Sequence, residues 1–363
     1  MVCGHMCRRI MCTFVSKYSA VIETLKESYN ENQNHQETKH QRTWSCRHVL
    51  WFVLRSDWRE LSKASLLPLP AFIPGAEAAF SFVMFCFSSR GVVMQIGLNF
   101  TLGNTLDLVQ RLIREGEVDY CELLIDNFLH VPPHELAGAF DCPIGFHIMF
   151  SKFLESDPEY LESMAARLRT YIDVLKPMYV SDHVARFNHN GRQLYHLAEL
   201  DYRSEYDAVR QRVERWQEKL GQRLYLENYP SIMDSGCDAP GFFERITQET
   251  GGGMFFDASN AVCAHHNCGL ALDAWETLID STPHFHVGSY NYSILEPKVV
   301  LDTHDGELSS DTLAFLERYK ERFDKPGATM TYERDVNIEY DAIVADLRKL
   351  RAIFGDAKAV SHV

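Results

Sequence analysis

The sequence predicts an α/β fold, a (β/α)8 TIM barrel with an N-terminal extension outside it. Three observations carry that expectation. From Met94 onward short apolar runs alternate with segments of helical spacing. Eight such units fit in the remaining 270 residues, which is the size and rhythm of a closed barrel. Strand after strand ends in His, Asp or Glu, the position where such barrels carry their working groups. An open doubly wound sheet would place a Gly-x-Gly-x-x-Gly turn after its first strand, and none is present. The Gly251-Gly252-Gly253 run precedes a strand and reads as a loop.

In chain order, residues 1–93 lack sustained helical or strand periodicity and mix a polar tract, isolated tryptophans and a proline-broken apolar run. They are read as the extension: a targeting or anchoring segment, a disordered regulatory tail, or, as favoured here, sequence upstream of a true start at Met94. The barrel domain is read as residues 94–363. Strands are expected near 95–100, 119–124, 143–149, 178–182, 223–227, 253–257, 284–289 and 328–333. Helices are expected at 104–115, 133–140, 157–175, 203–220, 239–249, 269–280, 308–323 and 338–354.

Charge divides unevenly. The 363 residues carry a net charge of −14, with 11 Lys and Arg against 7 Asp and Glu before Met94 and 25 against 43 from it onward. A body of net −18 argues against a nucleic-acid partner, which needs cations facing phosphates. No stretch of ~20 apolar residues could span a membrane. The ten cysteines form no Cys-x-x-Cys pair and suit reduced thiols in a cytoplasmic protein.

The strand ends carry the chemistry. The third strand ends at His147, the fourth at Ser181-Asp182-His183, the fifth at Glu227 and the sixth at Asp257, with Asn260 just beyond. The seventh carries His286, the loop after it Asp302-Thr303-His304, and the eighth ends at Glu333-Arg334-Asp335. One such histidine alone would read as a hydrogen-bonded structural residue; six consecutive strands ending this way point to metal. Glu227, Asp257, Asp302 and Glu333 bring four negative charges and the histidines are neutral ligands, so two or three dications balance the pocket where one would leave it repelling. Glu227 and Glu333, with two oxygens each, are the natural bridges. Nitrogen and oxygen ligands without cysteine admit iron, manganese or zinc. His130, His134, His189 and His196 are read as loop or segment-end residues, His265-His266 as a polar loop, and His284 as facing away from His286.

These motifs, together with Ile96-Gly97-Leu98-Asn99-Phe100, Leu226-Glu227-Asn228-Tyr229-Pro230 and Phe256-Asp257-Ala258-Ser259-Asn260, resemble the multinuclear non-haem iron-dependent oxidases, most closely their methanobactin-biosynthesis branch. The resemblance runs from Met94 to about Phe354. It implies two or three irons of mixed Fe(II)/Fe(III) state, O2 as co-substrate, and a cysteine-containing ribosomal precursor peptide presented with a small leader-binding partner subunit in a heterodimer. It implies a four-electron oxidation of cysteine to an oxazolone with a neighbouring thioamide. By position it makes His147, His183, Glu227, Asp257, Asn260, His286, Asp302, His304 and Glu333 the iron ligands and gives Asp335 proton handling or ligand orientation. Sugar isomerases and trinuclear-zinc endonucleases share the ligand order. The nuclease calls for a basic groove, which the acidic body opposes, and the isomerase for a lysine at a strand end, which is absent.

Overall fold

The computed structural model describes residues 94–355 apart from Leu102 and Leu295, so the expected extension lies outside the described residues. Eight parallel strands close into a barrel in the order β1–β12–β9–β8–β7–β4–β3–β2. They are β1 (Gln95–Phe100), β2 (Tyr120–Leu124), β3 (Ile144–Ile148), β4 (Val180–His183), β7 (Leu224–Glu227), β8 (Gly253–Asp257), β9 (His284–Val287) and β12 (Thr329–Tyr332). All eight were legible as apolar runs, because strands covered by helices outside and packed inside are buried on both faces. Around them run α1 (Leu106–Glu115), α2 (Pro133–Gly138), α3 (Pro158–Leu175), α4 (Tyr206–Leu220), α5 (Ala239–Thr250), α6 (Ala258–Cys268), α7 (Glu276–Ser281), α8 (Ser310–Arg318), α9 (Lys320–Phe323) and α10 (Tyr340–Phe354). The main core lies between strands and helices, with Trp216, Phe243, Phe256, Trp275, Leu316 and Leu347 fully buried there.

Three elements depart from the sequence reading. Helix α6 starts directly after β8, where a loop was expected, so His265 and His266 sit on its last turn. Its first seven residues, Ala258 to Ala264, are all buried, so it shows no one-sided apolar stripe by which a sequence reveals a surface helix. A hairpin of β5 (Arg186–His189) and β6 (Arg192–Ala198) follows β4, which places His196 within a strand. Its turn is Asn190-Gly191, at φ 49° and 75°, the two-residue left-handed turn for which Asn-Gly is the strongest short-range signal. A second antiparallel ribbon, β10 (Tyr290–Tyr292) with β11 (Val300–Asp302), follows β9. Both ribbons rise from the C-terminal ends of barrel strands. Among the described residues the five cysteines are free, and no helix is long and apolar enough to cross a membrane.

Inside the barrel an aromatic layer fills the lower half. Tyr120, Tyr179 and Phe255 are buried together with Tyr225 against them, and His284 packs on Tyr179 and Tyr225 at 4.5 and 4.7 Å. Gly145 makes room for the Tyr179 ring: a Cβ there would meet its Cζ at 2.4 Å. The ring cannot retreat, because its hydroxyl donates to Glu122 at 2.6 Å. Gly145→Ala should therefore lower stability by about 1–3 kcal/mol, the usual penalty of overpacking. Urea unfolding checks this, and an unchanged midpoint would contradict the packing described.

Candidate metal centre

Residues two apart on a strand share a face. On β3, β4, β7, β8 and β9 the second of each inward pair is His147, His183, Glu227, Asp257 or His286, and it stands in a layer above the aromatics. Register does the rest: His183 pairs across from Glu227, and Asp257 from His286. Parity also corrects the reading of His284. It lies two residues before His286 and faces the same interior, one layer lower, bonded through Nδ1 to Thr329 Oγ1 at 3.0 Å. It belongs to the packing beneath the site.

The expected residues come together. His147 Nε2 and His183 Nε2 lie 3.4 and 3.2 Å from Glu227 Oε2. The other oxygen, Oε1, faces His286 Nδ1 at 3.4 Å, and that nitrogen also lies 3.2 Å from Glu333 Oε2. His304 Nε2 is 2.9 Å from Asp302 Oδ1 and 3.4 Å from Glu333 Oε2. Glu227 thus stands between a His147–His183 group and a His286–Asp257–Glu333 group, each with donor atoms close enough to share one ion. Glu333 stands between His286 and the Asp302–His304 loop.

The outer nitrogens fix how each imidazole is used. His183 Nδ1 faces the Ile148 carbonyl at 3.2 Å, His286 Nε2 faces Glu122 at 2.8 Å, and His304 Nδ1 faces Asp335 Oδ2 at 3.1 Å. Each of these partners only accepts, so the outer nitrogen carries the hydrogen. Ser181 Oγ donates to the Phe146 carbonyl at 3.2 Å and so accepts from His147 Nδ1 at 2.8 Å. In the neutral ring every inner nitrogen then presents a lone pair to carboxylate oxygens, which repels unless a cation lies between. Among the described residues, the buried atoms without a hydrogen-bond partner include Glu227 Oε2, Asp257 Oδ2, Asn260 Oδ1, Asp302 Oδ1, His304 Nε2 and Glu333 Oε2, all in this site. A buried polar atom left unpaired is costly, and six at one locus fit a metal-ligand set.

Asp257 and Asn260 show how one residue serves twice. Asp257 Oδ1 caps α6 by accepting from Asn260 N at 2.6 Å, leaving Oδ2 for the site. Asn260 donates its amide to Asn228 O at 2.9 Å and, through the same nitrogen, to Glu227 Oε1 at 3.5 Å, which leaves Oδ1 buried without a partner. Backbone geometry is also committed here. His304 sits at φ 49°, and Gly288 clears its ring, since a Cβ at Gly288 would meet His304 Cδ2 at 2.5 Å. Asp335 bonds His304 and accepts from Asn99 Nδ2 at 2.9 Å, so it orients the ring.

The protonation equilibria report the same charge conflict. Burial, with Asp302, Glu333 and Glu227 adding repulsion, pushes Asp257 well up, and burial also raises Glu333. Burial would lower His286 and His304, but Glu122 and Glu333 around the first and Asp302 and Glu333 around the second hold both well up. Burial would raise Glu227, but His183, His286 and His147 outweigh it and hold it down. Burial, with His183 adding to it, pushes His147 down to about 3. The cluster demands positive charge, and protons or dications can supply it.

Glu122 was not anticipated. It is buried in mid-strand on β2, whose end carries no ligand; the signal available was its inward alternation with Tyr120. His265 and His266 stay outside the site, on Leu270 O at 2.9 Å and Asp311 at 3.0 Å.

A closed parallel barrel with imidazoles and carboxylates converging above its core defines a TIM-barrel protein with a candidate multinuclear metal site. Residues 95–354 match the family model of the RiPP precursor modification enzyme MbnB/TglH/ChrH, and the chain belongs to that family. It is 29% identical over 191 residues to a UPF0276 protein of Caulobacter sp. strain K31, covering 50% of this chain and 67% of that one. It is 27% identical over 251 residues to a UPF0276 protein of Anaeromyxobacter sp. strain Fw109-5, covering 66% and 84%. A xylose isomerase-like TIM barrel protein from Mycobacterium smegmatis, solved in complex with magnesium, shares the fold at 12% identity and a TM-score of 0.50, covering 72% of this chain and 97% of that one.

Glu122→Gln should weaken metal binding roughly 10–100-fold, the usual cost of losing a partner that orients a ligand. Competition with a chromophoric chelator measures this; unchanged affinity would show that Glu122 does not orient His286.

Proposed function

We propose that this chain is an iron-dependent oxidase that modifies cysteine in a ribosomally made precursor peptide, within the biosynthesis of a methanobactin-type copper-chelating peptide. Cysteine becomes an oxazolone with a neighbouring thioamide, and the four hydrogens removed leave with O2 as two waters. A small leader-binding subunit presents the peptide. The observation that carries the reading is the set of unpartnered donor atoms on Glu227, Asp257, Asn260, Asp302, His304 and Glu333, in a chain of the peptide-modifying family.

His147, His183 and Glu227 would hold one iron, and Glu227, Asp257, Asn260, His286 and Glu333 a second; Asp302 and His304 with Glu333 leave room for a third. Iron bound there supplies O2 reduction and a position at which a cysteine thiol ionises. The protein's part is orientation. Ser181, Ile148 O, Glu122 and Asp335 keep four imidazoles from turning, and Asp335, whose side chain is 40% exposed, would exchange protons with solvent. A sugar-isomerase-like enzyme would use the same ligands, so metal identity separates the two.

Aerobic co-expression with a cysteine-containing precursor and the partner subunit should yield peptide lighter by four hydrogens per converted cysteine. An unchanged mass, or protein purified anaerobically with zinc or magnesium and no iron, would contradict the oxidase. Glu227→Ala should lose iron and turnover together, because both ion positions use that carboxylate. Full iron occupancy with turnover in that variant would refute the bridging role.

A further inference from the structure

The site opens into a cavity of about 850 Å3 whose walls are sharply divided in character. At depth it is acidic, with Glu122, Glu227 and Glu333; Asp302, Asp305 and Asp335 also line it. Toward solvent it is apolar: Phe150, Ile232, Leu301 and Val336 line it and are 46%, 42%, 39% and 52% exposed. Among the described lining residues Lys152 is the only lysine or arginine.

Lys152 is held in place without being neutralised. Among the described residues no carboxylate lies within ion-pair distance of its ammonium, whose neighbour is the Phe187 ring, 5.2 Å to the centroid. The nearby acid, Glu155, is spent on the hairpin: it accepts from Phe187 N at 2.8 Å and from Asn188 N and Nδ2 at 3.3 and 2.9 Å. The backbone at Lys152 is fixed at φ 48°, a left-handed conformation in which glycine is less strained. Its carbonyl accepts from Glu155 N and Ser156 N, both at 2.8 Å. On either side Ser151 is bonded to Asp182 at 2.7 Å and Phe153 is buried. A lysine that served only solubility would need none of this.

We infer that Lys152 is a specificity-determining residue that binds a carboxylate of the peptide substrate at the cavity mouth, while the apolar rim takes the side chains beside the reacting cysteine. An unpaired ammonium attracts an anion from solvent, and apolar surface around it excludes the water that would screen the pair. The inference rests on the peptide-substrate reading above. A C-terminus and an Asp or Glu side chain are the two sources of such a carboxylate.

The test uses the full-length, iron-loaded protein and three acetylated peptides, titrated calorimetrically under anaerobic conditions. The first is Leu-Gly-Cys-Gly-Leu with a free C-terminus, the second its amide, and the third that amide with Asp following Cys. Wild type should bind at least one acidic peptide ten-fold or more tighter than the neutral amide; whichever gains identifies the source. Lys152→Met should bind all three peptides alike, with a circular dichroism spectrum and urea midpoint matching wild type to show that the variant is folded. Lys152→Arg should keep the preference. Wild-type protein that does not discriminate, a preference that survives Lys152→Met, or no binding of any peptide would overturn the inference. Discrimination without a mass change on admitting O2 would fault the oxidase reading and leave Lys152 standing.

Discussion

Four histidines whose outer nitrogens are tied to fixed acceptors, and whose inner nitrogens therefore aim lone pairs at shared carboxylates, are the constraint on which this molecule's interior depends. The arrangement is unfavourable by itself. Two lone-pair acceptors 3.2–3.4 Å apart, as between His183 or His147 and Glu227, gain nothing from proximity until a positive charge enters. The partners that enforce it, Ser181 Oγ, Ile148 O, Glu122 and Asp335, are themselves buried or doubly bonded, so a ring cannot turn to relieve the conflict. Such a centre is organised before any ion arrives, which raises affinity by reducing what must be ordered on binding.

The barrel is what makes that organisation possible. Period-two alternation delivers one ligand per strand to a single layer, and parallel register sets His183 beside Glu227 and Asp257 beside His286. Below, tyrosine and phenylalanine rings close the interior to water, so the carboxylates above face low dielectric on one side and an open mouth on the other. The third part of the site is less rigid in origin. Asp302 and His304 come from the ribbon and loop after β9, and their position rests on a left-handed residue, on Gly288 and on Asp335. If the site holds a third ion, the one bound by this loop is the one expected to exchange most readily.

What was legible in the sequence was what strand physics dictates. Apolar runs that end in a charge stand out, so His147, His183, Glu227, Asp257, His286 and Glu333 could all be named, and the structure brings them together. Four things escaped. Glu122 lies in mid-strand with its charge balanced by a histidine 164 residues away, a pairing no local window contains. Helix α6 is buried around its first turns and so lacks the stripe that betrays a helix. The parity of His284 and the Asn190-Gly191 turn were present in the sequence as ordinary local rules; both residue pairs sit within stretches dominated by stronger neighbouring signals, a histidine-rich strand end and a polar loop.

The measurement that bears most directly on this account is an anomalous-difference map at the iron absorption edge, from crystals of anaerobically purified protein. Two peaks are predicted, one enclosed by His147, His183 and Glu227 and one by Glu227, Asp257, His286 and Glu333, with room for a third beside Asp302 and His304. A single ion, or peaks that do not share the Glu227 carboxylate, would contradict the account.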